Sequence, residues 1–563
     1  MNSAASPEHS DSRDDSHSRS TEGDKWTSSS WDRSDEWEKG TQDVVSNDAH
    51  TEALSDPPSQ PGNKREIWIM TTVLLAVFLN ALDRTIIYTA VPRISDEFHA
   101  LGDIGWYNAS FMLAAACSQL IFGRIYTYNP PKFVFITLVG LFEAGNLVCG
   151  AAPTSASFIV GRAIAGMGSA GLMCGAIVVM VSTVSLSKRP LYQGFFGAVF
   201  TLASIIGPVI GGALTTNVSW RWCFYLNVPI GCAVMLVIFF VLDPIPPVQP
   251  GLSIREQITR MDPVGEVFLV ASVACLILGL AWGGNDYAWK DWRIITLFAV
   301  AGVSLIAFGV VQYCWPDTAT IPAATCSVRG VTMGLILTFF LNGTLQLMTY
   351  YQPTWFQAVR GVSPEKSGVY SLAIGIPTMS STLFAGIAVQ RVGYYTPFAI
   401  ISSVITPIGA GLFVTLRENT SDAKWIGYSI LLGCGMGIGM NQAATACQTI
   451  LPPEEVPIAL SLNFLFQSLA GAIFVPIGQT VLNSQLLSGL KSSLPGLDPA
   501  IITKAGATGW REVVPDAVLS GVVEVYNDAL TKVFLVGAVC GALSLVGSLG
   551  LEWRSVKGKQ GNT

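Results

Sequence analysis

The sequence predicts an all-α polytopic membrane protein with about 14 transmembrane helices. Three observations predict it. Some fourteen long apolar runs fill the chain between Ile67 and Leu551, each near the roughly 20 residues a helix needs to cross about 30 Å of hydrocarbon. Charged residues make up only 12% of the chain, and most sit in the gaps between runs. A chain dissolved in lipid must also satisfy its backbone hydrogen bonds within each crossing, which a helix does.

The runs begin near residues 67, 105, 133, 156, 192, 220, 264, 292, 329, 366, 396, 425, 458 and 532. Before them, Met1 to about Gln60 is rich in Ser, Asp, Glu and His and almost free of aliphatic runs. It cannot bury enough apolar surface to fold, so residues 1–64 read as a disordered cytoplasmic tail. The segment has no apolar stretch of the signal-peptide kind. The formal charge of −6 reflects the acids gathered there. No basic patch points to nucleic acid.

Orientation follows from the basic residues. Lys64, Arg65, Arg124, Lys132, Lys188, Arg189, Arg255, Arg260, Arg329, Arg391, Arg554, Lys557 and Lys559 all fall in gaps on one face, expected to be cytoplasmic. Lys290, Arg293, Arg417 and Lys424 lie on the other face, interspersed with acids. An even number of spans puts both termini inside. Two sequons, at Asn217 and Asn419, fall on the outer face as expected glycosylation sites. The stretch from Asn483 to Thr531 reads as the longest outer loop, and 554–563 as a cytoplasmic tail.

The eleven cysteines form no CxxC pair and have no His at metal spacing, so they read as small apolar fillers and no metal site is expected. The four His all lie outside the spans, and neither HExxH nor GxSxG occurs. A carrier is therefore favoured over an intramembrane enzyme.

The few polar groups inside the runs carry the functional reading. Asp83 sits in the outer half of span one, Glu143 near the middle of span three and Arg162 about two turns into span four. A charge in hydrocarbon is costly unless paired or facing water. Arg162 is thus expected to pair with Glu143 or Asp83, either to fix helix register or to tune a carboxylate that gains and loses a proton. Amides recur at helical spacing: Asn342, Gln346 and Tyr350 in span nine, Asn463 and Gln467 in span thirteen, and Asn108 and Gln119 in span two. Each stripe is interhelical glue or the wall of a wet cavity for uncharged or amphipathic solutes. Glycines four apart, at 171 and 175, 207 and 211, 433 and 437, and 435 and 439, let helices approach closely, either as static packing or as sliding surfaces. Pro208 bends span five.

These residues resemble the major facilitator superfamily, in its fungal fourteen-helix drug:proton antiporter branch. Leu82-Asp83-Arg84-Thr85 through Ala90-Val91-Pro92 is similar to that branch's first-helix motif. Gly161-Arg162-Ala163-Ile164-Ala165-Gly166-Met167-Gly168 resembles the fourth-helix motif, whose arginine the family associates with proton coupling. Gly207-Pro208-Val209-Ile210-Gly211-Gly212 resembles the antiporter motif of the fifth helix, and Trp220-Arg221-Trp222 through Asn227-Val228-Pro229-Ile230-Gly231 the sixth-helix signature. There is one departure: Thr127 stands where the loop after span two usually carries an acid, and Gln390 replaces the acid in the matching loop after span ten. These two loops are the clearest internal repeat, and they support two six-helix halves, 65–245 and 328–553, with two helices inserted at 260–316.

The resemblance implies a proton-coupled efflux carrier for drugs, toxins or secondary metabolites, driven by a proton gradient without a bound cofactor. It implies a monomer in the plasma or vacuolar membrane that works by alternating access. Asp83 and Glu143 are then candidate proton carriers, Arg162 their modulator, and Asn108, Gln119, Asn342, Gln346, Tyr350, Asn463 and Gln467 the cavity lining. An importer of the same superfamily, for instance for iron chelates, and a membrane sensor with this fold are the alternatives.

Overall fold

The computed structural model describes residues 63–557 except 101–102, 248–250, 252, 285–286, 317 and 495–513. The tail expected at 1–64 lies outside the described residues up to residue 62, as do 558–563 of the C-terminal tail.

Apolar runs without interior charge fold as continuous helices, as a bilayer requires. The first set comprises α1 (Asn63–Phe98), α2 (Ile104–Tyr128), α3 (Pro131–Ala151), α4 (Ser155–Thr183), α5 (Arg189–Asn217), the single turn α6 (Trp222–Tyr225) and α7 (Asn227–Val241). Then come the short α8 (Ile254–Arg260), the pair α9 (Pro263–Trp282) and α10 (Trp292–Cys314), and the short α11 (Ala323–Ser327). The second set comprises α12 (Arg329–Ala358), α13 (Pro364–Val392), α14 (Thr396–Phe413), α15 (Asp422–Gly439), α16 (Gln442–Ile450), α17 (Val456–Ser493) and α18 (Asp516–Gly550).

Among the described residues, 13 helices are long and apolar enough to cross a membrane, α6 and α7 counting as one. A fourteenth crossing is α15 continued by α16, interrupted at Met440 and Asn441. Asp422, Lys424 and five glycines lower the hydropathy of α15, and four of those glycines give it two packing faces. A Cβ on Gly433 would stand 2.5 Å from the Ile374 carbonyl of α13, and one on Gly435 2.7 Å from the Thr406 amide of α14. The interleaved glycine pairs thus let one helix lie close against two neighbours.

The main helix–helix contacts fall within two sets, α1 with α5 and α3 with α4 in the first, α12 with α18 and α14 with α15 in the second. The main crossings that join the sets are α5 against α13 and α2 against α17, with a smaller contact of α4 on α17.

Both ends of the expected outer loop at 483–531 are helical, and its middle, 495–513, lies outside the described residues. α17 runs on to Ser493 and α18 begins at Asp516, ahead of the expected start near 532. Leu482, Leu486 and Leu490 at helical spacing are buried with Val522, Val523, Tyr526 and Ala529, so the extended ends form an apolar hairpin. The polar residues at these ends obscured that periodicity.

The helix α8, outside the spans, starts with a capping box. Glu256 Oε2 accepts from the Ser253 amide at 2.9 Å, while the Ser253 hydroxyl accepts from the Glu256 amide. The amide and hydroxyl of Ser253 hold the Glu256 carboxyl below its usual pKa. A depressed carboxylate contributes stability that is present above its unfolded pKa and lost as pH falls through the folded one. Amide hydrogen exchange across 254–260 should therefore accelerate on acidification below the ordinary glutamate range, and Ser253→Ala should accelerate it about fivefold at neutral pH. Unchanged protection in both cases would dismiss the cap.

Candidate functional site

The first-half site is built on α1, α3, α4 and α7. Its centre is an ion pair: Arg162 Nη1 donates to Asp83 Oδ2 at 2.8 Å, with both side chains 0% exposed. Arg162 Nε donates to the Tyr107 carbonyl of α2 at 3.1 Å, and the guanidinium lies 4.3 Å from the Phe111 ring centroid. Of the two acids the sequence offered to Arg162, the structure pairs it with Asp83. Arg84, the next residue, turns to the Ser169 hydroxyl at 3.0 Å.

Glu143 goes elsewhere. Its carboxylate lies against Gly231 of α7, where a Cβ would displace it. It is 4% exposed, and neither oxygen has a protein hydrogen-bond partner. Asn80 of α1, Asn146 of α3 and Asn227 of α7 are likewise 0% exposed, with both amide atoms of each unpartnered by protein. Asn80 is three residues before Asp83, Asn146 three after Glu143, and Asn227 four before Gly231, so each lies on the same helix face as its neighbour. Groups of this kind are ordinarily satisfied by internal water. Sequence analysis missed these three asparagines. The available signal was an amide standing alone in an apolar run.

Span five packs on span one through the fifth-helix motif. A Cβ on Gly207 would meet the Thr85 hydroxyl, and one on Gly211 would stand 2.7 Å from the Ile86 carbonyl. Thr85 Oγ1 also donates to the Ala203 carbonyl across the interface at 3.3 Å. Pro208 lies inside α5. Gly212 is different: nothing lies within 4 Å of where its Cβ would be. The motif therefore positions α5 beside the helix that carries Asp83.

The amides of the second half form a ladder between α12 and α17. Gln467 Nε2 donates to Asn342 Oδ1 at 3.0 Å, and the Thr338 hydroxyl donates to Asn463 Oδ1 at 2.6 Å. Gln346 is exposed, beside Gly471, and Tyr350 is exposed and packs edge-on against Tyr351. Gln119 donates to the Ala170 carbonyl of α4 at 3.5 Å, tying two helices of the first set. Asn108 is half-buried. The stripe in span nine is thus divided, its first amide bonded across the helix pair and its last two positions uncovered.

The end of the bundle that carries Lys188 and Arg189 is sealed between the sets. Asn441 Nδ2, at the break between α15 and α16, donates to the Gln193 carbonyl of α5 at 2.8 Å, and the Thr445 hydroxyl donates to Gln193 Oε1 at 2.7 Å. A Cβ on Gly386 of α13 would stand 2.5 Å from the Pro190 carbonyl. On the opposite side, Gly123 of α2 faces Ser461 and the Pro457 carbonyl of α17. Gly123 and Gly386 occupy matching positions in the two repeated loops. Asn217 and Asn419 are exposed at the other end of the bundle.

A bundle of membrane-length helices, with a charge pair shielded between its first and fourth crossings, defines a multi-pass membrane protein. The chain belongs to the Major Facilitator Superfamily, whose pattern matches residues 73–475. It is 42% identical over 493 residues to the MFS-type efflux pump MFS1 of Arthroderma benhamiae, covering 87% of this chain and 92% of that protein. It is 42% identical over 495 residues to the efflux pump aflT of Aspergillus parasiticus, covering 87% and 96%. Among solved structures it resembles the proton:xylose symporter XylE bound to 6-bromo-6-deoxy-D-glucose, with a TM-score of 0.57 at 13% identity over 88% of this chain and 98% of that one. It also resembles the human organic anion transporter MFSD10, with a TM-score of 0.54 at 13% identity over 86% and 100%. At such identities the likeness concerns the fold.

Proposed function

We propose that this transporter exports small, largely hydrophobic organic molecules in exchange for protons, by alternating access of its two halves around a midplane cavity. The observation that carries the reading is the dehydrated pair of Asp83 and Arg162. Such a pair is costly to bury, which favours a working role over a purely structural one, and protonation of Asp83 would remove its charge attraction to Arg162 across α1 and α4. Relatives named as efflux pumps support the export direction.

In this reading the sealed, base-rich end faces the cytoplasm, and Asn217 and Asn419 face outward as glycan acceptors. Protons reach Asp83 from outside, with Glu143, beside Asn146 and Gly231, as a second carrier. Arg162 tunes both. Gly207 and Gly211 form the pivot of α5 on α1. Asn108, Gln346 and Tyr350 line the cavity, while Asn342, Gln467 and Asn463 set the spacing of α12 and α17 beside it. The protein works as a monomer in the plasma membrane.

The test is efflux of rhodamine 6G and ethidium, as hydrophobic probes, from cells expressing the chain. Expression should accelerate loss of both dyes, and a protonophore should abolish the gain. Dye accumulation on expression, or efflux indifferent to the protonophore, would overturn the proposal.

A further inference from the structure

The inserted pair α9–α10 is not a bystander at the bundle's edge. α9 packs against both α2 and α17, the two helices whose crossing closes one side of the sealed end. The Cys117 thiol of α2 approaches the Val270 carbonyl of α9 at 3.9 Å. The two helices run antiparallel. Glu266, one turn before Val270, and Arg124, two turns beyond Cys117, therefore both lie toward the sealed end.

Arg124 is the positive neighbour of Glu266. They are 8% and 7% exposed. Arg124 Nε and both oxygens of Glu266 have no protein hydrogen-bond partner. A buried donor and a buried acceptor of opposite charge, carried on facing helices and each without a protein partner, are groups that an internal water can bridge. Among the described residues, the other charged or titratable groups facing Glu266 are Asp262 on its own element and the Cys117 thiol on α2.

The remaining nitrogens of Arg124 reach the segment that follows α10. Nη2 donates to the Ala319 carbonyl and Nη1 to the Tyr128 hydroxyl at 3.3 Å. That segment is tied down. The Asp262 carboxylate, at the cap of α9, accepts from the Gly265 amide at 2.8 Å, Gln312 Nε2 at 2.5 Å and the Thr320 hydroxyl at 3.1 Å. Asp262 itself holds a φ of 50°, a left-handed geometry that the three bonds stabilise. Farther along, the Thr325 hydroxyl donates to Glu455 Oε2 at 2.7 Å, and Glu455 immediately precedes α17.

We infer that the inserted pair is a clasp over the seam between α2 and α17, with Glu266 holding Arg124 through a shared water and the segment after α10 reaching across to Glu455. Gly123, beside Arg124, is the point where the two helices meet, so parting them breaks at least one arm of the clasp. The inference stands apart from the direction or coupling of transport, and its test needs no cargo.

Cys174 of α4 reports the seam, because its thiol is fully buried against the Ser461 hydroxyl at 3.4 Å. Alkylation of Cys174 by N-ethylmaleimide is measured at fixed pH on the full chain in membranes, by peptide mass spectrometry. Glu266→Gln and Arg124→Gln should each accelerate it about tenfold, and the double variant should be no faster than the quicker single one. Thr325→Val, which cuts the other arm, should accelerate it less. If Glu266→Gln fails to accumulate, Glu266→Asp should give an intermediate rate. Unchanged alkylation in the variants, or rates that multiply in the double variant, would overturn the clasp.

Discussion

Arg162→Ala is expected to abolish gradient-driven export while the protein still reaches the membrane in reduced amount. The substitution removes the only ion-pair partner that Asp83 has among the described residues, and leaves a carboxylate that is 0% exposed. Stranding one member of a buried pair costs about 3–5 kcal/mol, so some loss of abundance accompanies the loss of activity. Asp83 can escape that penalty by binding a proton permanently, which would lock the pair in its uncoupled state. Arg162→Lys separates charge from geometry. It keeps the positive charge but loses the planar stacking on Phe111 and the reach to the Tyr107 carbonyl, so export should be weak but measurable. Both are read as protonophore-sensitive dye efflux normalised to protein in the membrane. Undiminished export by Arg162→Ala would remove the pair from the mechanism.

Gly211→Val should reduce export at least about tenfold, whereas Gly212→Val should leave it within about twofold of the parent. The two glycines are adjacent in one motif, yet only Gly211 faces α1. A Cβ there would stand 2.7 Å from the Ile86 carbonyl and 2.8 Å from its Cγ1, and the backbone oxygen cannot rotate away. Overpacking of this kind costs about 1–3 kcal/mol and separates the helices. Gly212 has open space around its Cβ position. Equal loss at both positions would mean that the motif acts through backbone flexibility rather than through contact with α1.

The helical architecture was legible because hydrocarbon leaves a chain so few choices: a run of about 20 apolar residues must be a helix. That Arg162 pairs with one of the two interior acids was legible for the same reason, since hydrocarbon strongly favours paired over isolated charge, but the choice of Asp83 over Glu143 was not. Glu143 was harder. Its position in span three marks it as interior, but whether it turns toward Arg162 or toward Gly231 depends on the rotation of α3, which no sequence spacing specifies. The amides at 342, 463 and 467 were found by their period, while their bonding across α12 and α17 depends on helix azimuth and Thr338, an unremarkable residue in the sequence. Asn80, Asn146 and Asn227 were harder to find because none belongs to a stripe of amides at helical spacing. The ends of α17 and α18 were misread because length beyond the bilayer is set by what the helices pack on, not by apolar content alone.

The hydrogen bonds of Gln193 to Asn441 and Thr445 have a practical corollary. They join the start of α5 to the break between α15 and α16, and the surface formed around that junction vanishes when the halves part. A nanobody raised against that surface would recognise a single stage of the cycle. It would arrest turnover from the far side of the protein without competing for cargo, and its affinity would serve as a direct gauge of how much of the population rests in the shut form.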